Sequence, residues 1–178
     1  MKIAIVGACG TGKTTIVNEL RKVIEASHTS CFIDEVARTY LADNPCEERG
    51  SIIVQGQIQD ISFHLERIAH ESSCKFIVCD RSVLDPALYL KTSGNIAGSD
   101  ILLNKAVSWL RTYDHFFLAD PDDIVYEYDP VRNESLQFRA AWHNNFLEMF
   151  SDLGIGYIPL SGTVSARLRA LLSVTKIA

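Results

Sequence analysis

The stretch KIAIVGACGTGKTTIVNEL, residues 2–20, constrains the fold most, because an apolar run leads through a glycine-rich loop into a helical pattern. Residues 7–14 fit G-x-x-x-x-G-K-[ST] without a mismatch. The glycines let successive N–H groups point at phosphate oxygens, and the following helix adds the positive end of its dipole. The alternative is a glycine-rich turn with no ligand, but both flanks favour a phosphate-binding loop. The predicted nucleotide-binding residues are Gly7, Ala8, Cys9, Gly10, Thr11, Gly12, Lys13, Thr14 and Thr15.

Two of these side chains have specific expected roles toward a bound nucleoside triphosphate. Lys13 is expected to reach the β- and γ-phosphates as a catalytic cation, and the Thr14 hydroxyl to ligate Mg²⁺. A second metal-binding group is Asp80, which ends the apolar run KFIVCD. Its alternative role is to cap the next turn. Arg81 follows, where many ATP-driven motors have a glutamate that activates water, and this argues against a mechanical ATPase.

Five short apolar runs predict buried strands at residues 2–7, 30–35, 75–80, 115–120 and 156–161. Helical patterns lie between them. Strands alternating with helices predict a parallel sheet covered on both faces, with chemistry at the carboxyl ends of the strands. The predicted longer helices cover residues 13–26, 51–72 (through Ile58, Ile61, Leu65 and Ile68), 100–111, 136–150 and 164–173.

Composition limits the remaining choices. The chain has 178 residues, 47% of them hydrophobic, and no linker-like segment, so we expect one domain over residues 1–178. The net charge of −5 and the lack of a basic run disfavour a nucleic-acid partner without excluding one. Five cysteines without a C-x-x-C pair suggest free thiols in a reducing cytosol. With no signal peptide or membrane span expected, the predicted location is cytoplasmic and the predicted partners include no membrane.

Residues 32–40, FIDEVARTY, offer candidates for binding the acceptor of a phosphoryl group. A kinase needs a carboxylate near the γ-phosphate to orient or deprotonate a hydroxyl. Asp34 and Glu35 end the second strand, and since strand neighbours face opposite ways, only one is expected to reach the site. Arg38 is expected to bind a phosphate or to clamp that carboxylate. The alternative is an acid pair at a helix start with a surface salt bridge.

Residues 126–142 predict a lid, a mobile segment over the nucleotide at about residues 120–139. The segment passes from a proline-broken loop into a helix, with Arg132 and Arg139 about two turns apart. A closing lid would bring these arginines to the developing charge as catalytic groups and exclude water. The alternative is a solvated loop whose arginines pair with Asp129 and Glu134.

Together these motifs resemble a small P-loop family, often labelled AAA-like, that includes the ribosylnicotinamide kinase domain of a bacterial NAD-biosynthesis regulator. The resemblance rests on GACGTGKTT, on E-x-A-R at residues 35–38, and on QGQIQD, DRSVLDPALYL, D-P-V-R at residues 129–132 and FRAAWHNNFLEMFSDLGIGYIPLSG. It implies an α/β, three-layer P-loop NTPase of nucleoside or nucleotide kinase type, with a five-stranded sheet in the order 2-3-1-4-5. Asp80-Arg81-Ser82 also resembles the acid-Arg-Ser triplet of deoxynucleoside kinases, and that analogy favours Glu35 over Asp34 as the base. Nothing like the regulator's adenylyltransferase domain is present, so we expect the chain to act alone or as a homodimer.

The acceptor pocket is expected between the ends of strands 2 and 3, walled by residues 36–65 and 81–95. One aromatic side chain would stack on a planar ring and amides would read its edge. Asp85, which precedes a proline, would either reach sugar hydroxyls or cap a helix. Arg81 would join Asp34, Glu35 and Arg38 around the acceptor. The aromatic candidates are Tyr40, Phe63 and Tyr89, and the edge-reading candidates are Gln55, Gln57, Gln59 and Asp60.

These expectations predict an enzyme that transfers the γ-phosphoryl of ATP, with Mg²⁺, to a hydroxyl of a small nucleoside-like molecule. One alternative changes the acceptor to a nucleoside monophosphate or to nucleic acid. Another is a nucleotide-dependent regulatory ATPase, or switch, that phosphorylates nothing. The sequence leaves open the acceptor's identity, the choice between ATP and GTP, and the oligomeric state.

Overall fold

The computed structural model describes residues 1–24, 29–45, 48–122 and 134–176. Within these ranges strands and helices alternate, and each predicted strand is present. The strands are β1 (Lys2–Val6), β2 (Ser30–Ile33), β3 (Phe76–Asp80), β4 (His115–Ala119) and β5 (Tyr157–Leu160). The helices are α1 (Lys13–Ile24), α2 (Val36–Asp43), α3 (Ile52–Glu71), α4 (Asp85–Thr92), α5 (Ile96–Leu110), α6 (Leu136–Asp152) and α7 (Val164–Thr175).

The five strands form one parallel sheet in the order β2-β3-β1-β4-β5, which confirms the expected order. On the central strand β1, Ile5 is aligned with Asp80 of β3, and Val6 with Leu118 of β4. The carboxyl ends of these strands therefore meet at one edge of the sheet. The loop that follows β1 starts beside Asp80.

Helices cover both faces of the sheet, because successive residues of a buried strand point to opposite sides. Ile3 and Ile5 pack with apolar residues of α1 and α7 in one core. Ala4 and Val6 belong to the other, larger core, which includes residues of α3, α4, α5 and α6. The chain is therefore the predicted three-layer α/β structure.

The apolar pattern predicted for α3 is only partly buried. Ile58 packs into the core, but Ile61, Leu65 and Ile68 are 38%, 38% and 51% exposed. The buried face of α3 instead includes polar residues such as Glu66, whose hydrogen bonds satisfy it there. β2 ends at Ile33, two residues before the predicted end of that strand. The short helices α2 and α4 follow β2 and β3, where the sequence indicated only a possible helix start after the acid pair and a possible cap at Asp85.

A disulfide joins Cys31 of β2 to Cys74, with their Cα atoms 5.9 Å apart. This corrects the expectation of free thiols for these two residues. The sequence gives no sign of the bond because 43 residues separate the cysteines, and only the pairing of β2 with β3 brings them together. Cys9 and Cys79 are free and buried, and Cys46 lies outside the described residues.

No helix in the described part of the chain is long and apolar enough to cross a lipid bilayer.

Candidate active site

The glycine-rich loop joins β1 to α1 at the carboxyl edge of the sheet. Gly7, Gly10 and Gly12 have φ angles of +136°, +63° and +75°, which favour glycine. A Cβ atom on Gly7 would lie 3.0 Å from the carbonyl oxygen of Ala119, so a side chain there would collide with the end of β4. The glycines thus permit a tight curl of backbone against the sheet, a shape that suits phosphate oxygens.

The side chain of Lys13 lies inside this curl. Its Nζ donates hydrogen bonds to the carbonyl of Ala8 (2.5 Å) and to Oγ1 of Thr11 (3.1 Å). Thr11 Oγ1 donates to the same carbonyl at 3.0 Å. Lys13 is only 5% exposed, so its ammonium is positioned to meet an anion bound by the loop. Thr14 and Thr15 follow in the first turn of α1 and are exposed.

Besides Arg81, whose Nη1 donates to the Gly7 carbonyl at 3.3 Å, two buried arginines from distant helices bind the backbone of the loop. Arg139 of α6 donates to the carbonyls of Cys9 (2.9 Å) and Gly10 (3.1 Å). Arg167 of α7 donates to the carbonyl of Thr11 at 2.7 Å. Both also donate to carbonyls after β4, those of residues 121 and 120 respectively. The loop conformation is therefore held from two helices. The expected lid role of Arg139 stays a prediction, while its contacts show a structural role that the sequence did not suggest.

Thr14 and Asp80 form the candidate metal site. Thr14 Oγ1 donates to Oδ2 of Asp80 at 2.6 Å, while Asp80 Oδ1 is buried without a hydrogen-bond partner among the described residues. Burial raises the pKa of Asp80, and the Glu35 charge raises it further, against lowering by Lys13, Thr14 and Arg81. A hydroxyl and a carboxylate with a free oxygen are ligands that Mg²⁺ prefers, so these residues fit the ion.

Arg81 adopts an unusual backbone conformation, with φ +84°. Its N–H donates to the carbonyl of Ile5 at 3.0 Å. Side chains of other elements hold the backbone of the turn at Val83. The Val83 N–H donates to Oη of Tyr113 (3.2 Å), and Gln59 Nε2 donates to the Val83 carbonyl (2.8 Å). Such conformations persist where surrounding contacts impose them, which is common at functional sites.

The Arg81 guanidinium connects two buried carboxylates. Its Nε donates to Oε1 of Glu35, and its Nη1 donates to Oδ1 of Asp85 at 2.9 Å. Burial alone would lower the pKa of Arg81, but the two carboxylates outweigh burial and raise it above its ordinary value. Asp85 Oδ2 also accepts from the N–H and Oγ of Ser82, both within 2.9 Å. The cluster therefore fixes Glu35 beside the turn that carries Asp80.

A cleft opens beside this cluster, between the ends of β2 and β3 and helices α2, α3, α4 and α6. Its cavity volume is about 40 Å³, so it is narrow. Pockets that hold small molecules are commonly wider, with volumes of about 300–1,000 Å³. Its walls are Ile33, Val36, Ala37, Leu41, Gln55, Ile58, Ser62, Glu66, Asp80, Arg81, Ser82, Asp85, Pro86, Tyr89, Glu134 and Trp142.

Glu66, at the base of this cleft, is fully engaged by protein groups. It forms a buried ion pair with Lys2 Nζ at 2.5 Å, and its carboxylate oxygens lie 2.7 and 2.8 Å from Oη of Tyr113, which donates to it. The indole Nε1 of Trp109 donates to it at 2.8 Å. Burial and the nearby Glu66 charge raise the pKa of Tyr113 well above its usual value. This network supports the turn after β3 through Tyr113.

The structure brings only some of the expected acceptor residues together. Asp34 points away from the cleft, is 73% exposed and pairs with Arg21 at 2.5 Å. Arg38 is 46% exposed and lies 3.3 Å from Glu35. Tyr40 contributes to a separate groove between β2, α2 and α3 and donates to Gln57.

Of the other expected pocket residues, Tyr89 and Gln55 line the cleft, but Phe63 packs edge-on against Trp109. Gln59 is buried and binds backbone carbonyls, including that of Leu102. Asp60 pairs with Lys105 at the surface. Arg132 and most of the expected lid lie outside the described residues.

Nothing in the sequence predicts Trp142, Glu134 or Arg167 as site residues. Trp142 was one of several apolar positions on a helix, and nothing in the spacing separates the side chain that lines a cleft from those in the core. Glu134 was considered only as an ion-pair partner of a lid arginine. Arg167 lies 156 residues beyond Thr11, the loop residue whose carbonyl it binds, so no local pattern reveals the contact.

A family model described as "AAA domain" matches residues 2–167 of the chain. The chain belongs to this AAA-domain family. Among solved structures, NadR in complex with NAD and AMP-PNP superimposes on it with a TM-score of 0.79 at 16% identity, over 99% of this chain and 50% of that one. Deoxyadenosine kinase from M. mycoides with bound dATP gives a TM-score of 0.71 at 14% identity, over 99% and 100% of the two chains.

These similarities establish a P-loop fold of nucleoside kinase type for this member of the AAA-domain family. The chain spans about half the length of the NadR chains that it matches. A second NadR structure, in complex with NR, has a TM-score of 0.78 at 15% identity. The sequence has no match among curated proteins.

Proposed function

We propose that this protein is a P-loop kinase that transfers the γ-phosphoryl of ATP to a hydroxyl of a nucleoside-like small molecule. The observation that carries the proposal is the link between Thr14–Asp80 and Glu35–Arg81–Asp85 at one edge of the sheet. Thr14 and Asp80 fit Mg²⁺, and the Glu35–Arg81–Asp85 cluster presents a positioned carboxylate. Both adjoin the glycine-rich loop on one side and a narrow cleft on the other.

The loop would hold the triphosphate on its backbone N–H groups, and Lys13 would exchange the Ala8 and Thr11 oxygens for phosphate oxygens. Thr14 and Asp80 would hold Mg²⁺, which neutralises charge on the phosphates when bound. Because Arg139 and Arg167 bind the loop carbonyls, the N–H groups on the opposite side of the same peptides stay directed inward.

Glu35 would accept a hydrogen bond from the acceptor hydroxyl and orient it toward the γ-phosphate. Arg81 and Arg38 both donate to this carboxylate, which fixes its direction. Phosphoryl transfer depends mainly on positioning and charge stabilisation, so orientation is the main contribution required of Glu35. Asp34, which follows β2, is exposed and takes no part in this proposal.

The structural neighbours support the same assignment. NadR is described in complex with AMP-PNP and with NR, and the M. mycoides enzyme is a deoxyadenosine kinase described with dATP. A nucleoside monophosphate acceptor would need Arg38 and Arg81 to bind its phosphate. Arg38 already pairs with Glu35, and Arg81 with Glu35 and Asp85, which favours an acceptor without a phosphate. A homodimer stays a prediction that a measurement of mass in solution would check.

The test is ADP release by the purified protein with ATP and Mg²⁺, alone and with a panel of nucleosides, nicotinamide riboside, nucleoside monophosphates and oligonucleotides. We expect one nucleoside-like compound to raise the rate strongly, and Lys13→Ala to abolish that rise. Slow hydrolysis indifferent to every compound would instead favour the regulatory ATPase. Stimulation only by monophosphates or oligonucleotides would change the acceptor class.

A further inference from the structure

The walls of the cleft contain an unusual concentration of unsatisfied polar atoms. Among the described residues seven buried side-chain nitrogen or oxygen atoms lack a hydrogen-bond partner, and four belong to residues that line this cleft. Buried polar groups in folded proteins are nearly always hydrogen-bonded. Four unsatisfied groups around one cleft therefore indicate that a ligand supplies the partners. They are Asp80 Oδ1, Arg81 Nη2, Glu134 Oε2 and Trp142 Nε1.

Two of the four atoms belong to residues of the proposed catalytic site, at one end of the cleft. The other two belong to residues of the opposite wall of the cleft. Asp80 ends β3 and Arg81 follows it at the sheet edge, whereas Trp142 lies in the first half of α6 and Glu134 lies just before that helix. Both Glu134 and Trp142 contact Tyr89, whose Oη lies 3.5 Å from Glu134 Oε1 and whose ring lies 5.3 Å from that of Trp142. This opposite wall thus combines aromatic surface, one free donor and one free carboxylate oxygen.

The Glu134 carboxylate, whose Oε2 lacks a hydrogen-bond partner among the described residues, gives the cleft a chemical preference. Glu66 is neutralised by Lys2, and Glu35 and Asp85 share Arg81, but no cation within the described residues pairs with Glu134. An unpaired carboxylate in an apolar wall is stabilised by a ligand group that donates a hydrogen bond or carries positive charge. The Trp142 indole is 4% exposed and can only donate, so it needs an acceptor atom from the same ligand.

We propose that Glu134 and Trp142 select an acceptor whose ring edge carries an –NH₂ group beside a hydrogen-bond acceptor atom. The amino group would donate to Glu134 Oε2, and the neighbouring ring nitrogen or carbonyl would accept from Trp142 Nε1. Adenine, cytosine and a ring carboxamide have this pattern. A ring that presents an oxo group or a carboxylate at the same place opposes the Glu134 charge. This inference rests on the proposed function only in taking the cleft as the acceptor site.

The test uses equilibrium binding, so that it does not depend on turnover. The intact protein is titrated calorimetrically with three matched pairs: cytidine and uridine, adenosine and inosine, and nicotinamide riboside and nicotinic acid riboside. In at least one pair we expect the amino-bearing member to bind about 10- to 100-fold more tightly, the range for a hydrogen bond to a charged group. Equal binding within every pair, or binding of no compound, would overturn the proposal.

Variants assign the preference to the named side chains. Glu134→Gln keeps the size of the side chain but can also donate, so the preference within a pair should fall about 10-fold. Trp142→Phe should weaken binding of the preferred member of a pair, because it removes the indole N–H but keeps the aromatic packing on Tyr89. The matched control is Glu148→Gln on α6, because Glu148 is 59% exposed and pairs with Lys91. A preference that survives both cleft variants would contradict the assignment, even if one variant were poorly folded.

The outcome is separable from that of the kinase proposal. Selective binding of amino-bearing nucleosides without ADP release would overturn the kinase and leave the selectivity of the cleft established. ADP release at equal rates with both members of every pair would support the kinase and overturn the selectivity proposed for the cleft.

Discussion

Arg81 donates from Nε to Oε1 of Glu35 across the carboxyl edge of the sheet, and both side chains are less than 8% exposed. The pair joins residues 46 positions apart and brings the end of β2 to the turn after β3. Asp85 binds the same guanidinium, so Glu35 is held by a residue that is itself fixed. This arrangement makes the carboxylate of Glu35, and not that of Asp34, the candidate group for orienting an acceptor.

Glu35→Gln should lower kcat by about 10²- to 10³-fold, the scale of a positioned acid or base, with a smaller change in KM. Asp34→Asn is the matched comparison, since Asp34 is adjacent in sequence but 73% exposed, and it should change kcat less than about threefold. Steady-state kinetics with the acceptor found in the panel measures both. The opposite ranking would assign the role to Asp34.

Asp80→Asn should stabilise the nucleotide-free protein while removing Mg²⁺-dependent nucleotide binding. The pKa of Asp80 is raised in the folded state, by burial and then by Glu35. The folded state therefore favours the protonated carboxyl. The stability that depends on this proton is fully present below the ordinary pKa of 3.8 and is lost as pH rises through the higher folded value.

Thermal melting of wild type and Asp80→Asn across this pH range measures the effect. The difference in Tm between the variant and the wild type should grow as pH rises above the ordinary pKa of Asp80 and then level off. Each 1 kcal/mol of difference in the free energy of unfolding corresponds to about 2–4 °C in Tm for a chain of this size. Melting with ADP and Mg²⁺ should reverse the order, because only the wild type keeps the carboxylate. An equal Tm for both proteins at neutral pH would contradict the prediction.

Arg167→Met should destabilise the protein by about 2–4 kcal/mol, because it leaves buried carbonyls, including that of Thr11, without their donor. It should also weaken nucleotide binding, since the loop loses the arginine that binds the Thr11 carbonyl. Urea unfolding and a fluorescent nucleotide titration measure these effects. Arg169→Met on the exposed side of α7 is the control and should leave both values near wild type. Equal effects of the two substitutions would show that the loop contact is unimportant.

Reduction of the Cys31–Cys74 bond should lower the free energy of unfolding by about 4 kcal/mol, the chain-entropy value for a closed loop of 43 residues. Urea unfolding of the wild type with and without a reductant measures this, together with counting of free thiols in denaturant. The double variant Cys31→Ser/Cys74→Ser should match the reduced protein and not respond to the reductant. If the reductant did not change the free energy of unfolding of the wild type, the two cysteines would be free thiols and not a disulfide.

The sequence by itself determined the strands, the sheet's parallel character and the position of the glycine-rich loop. These features depend on local patterns, namely short apolar runs, glycines at fixed spacing and a helix start with Lys13 and Thr14. A family resemblance supplied the strand order, which no local pattern contains. The same patterns limited the pocket to two stretches of chain, and several of its walls do lie in them.

The tertiary structure decided which side chains meet. It turned Glu35 inward and Asp34 outward, closed the bond between Cys31 and Cys74, and placed Trp142 in the cleft wall. It also brought Arg167 under the loop. Each of these features depends on contacts between residues far apart in sequence. Packing against other elements decides which way the side chains after a strand point and which face of a helix is buried. Local spacing contains no information on that packing, because the same pattern serves equally for core, cleft and surface.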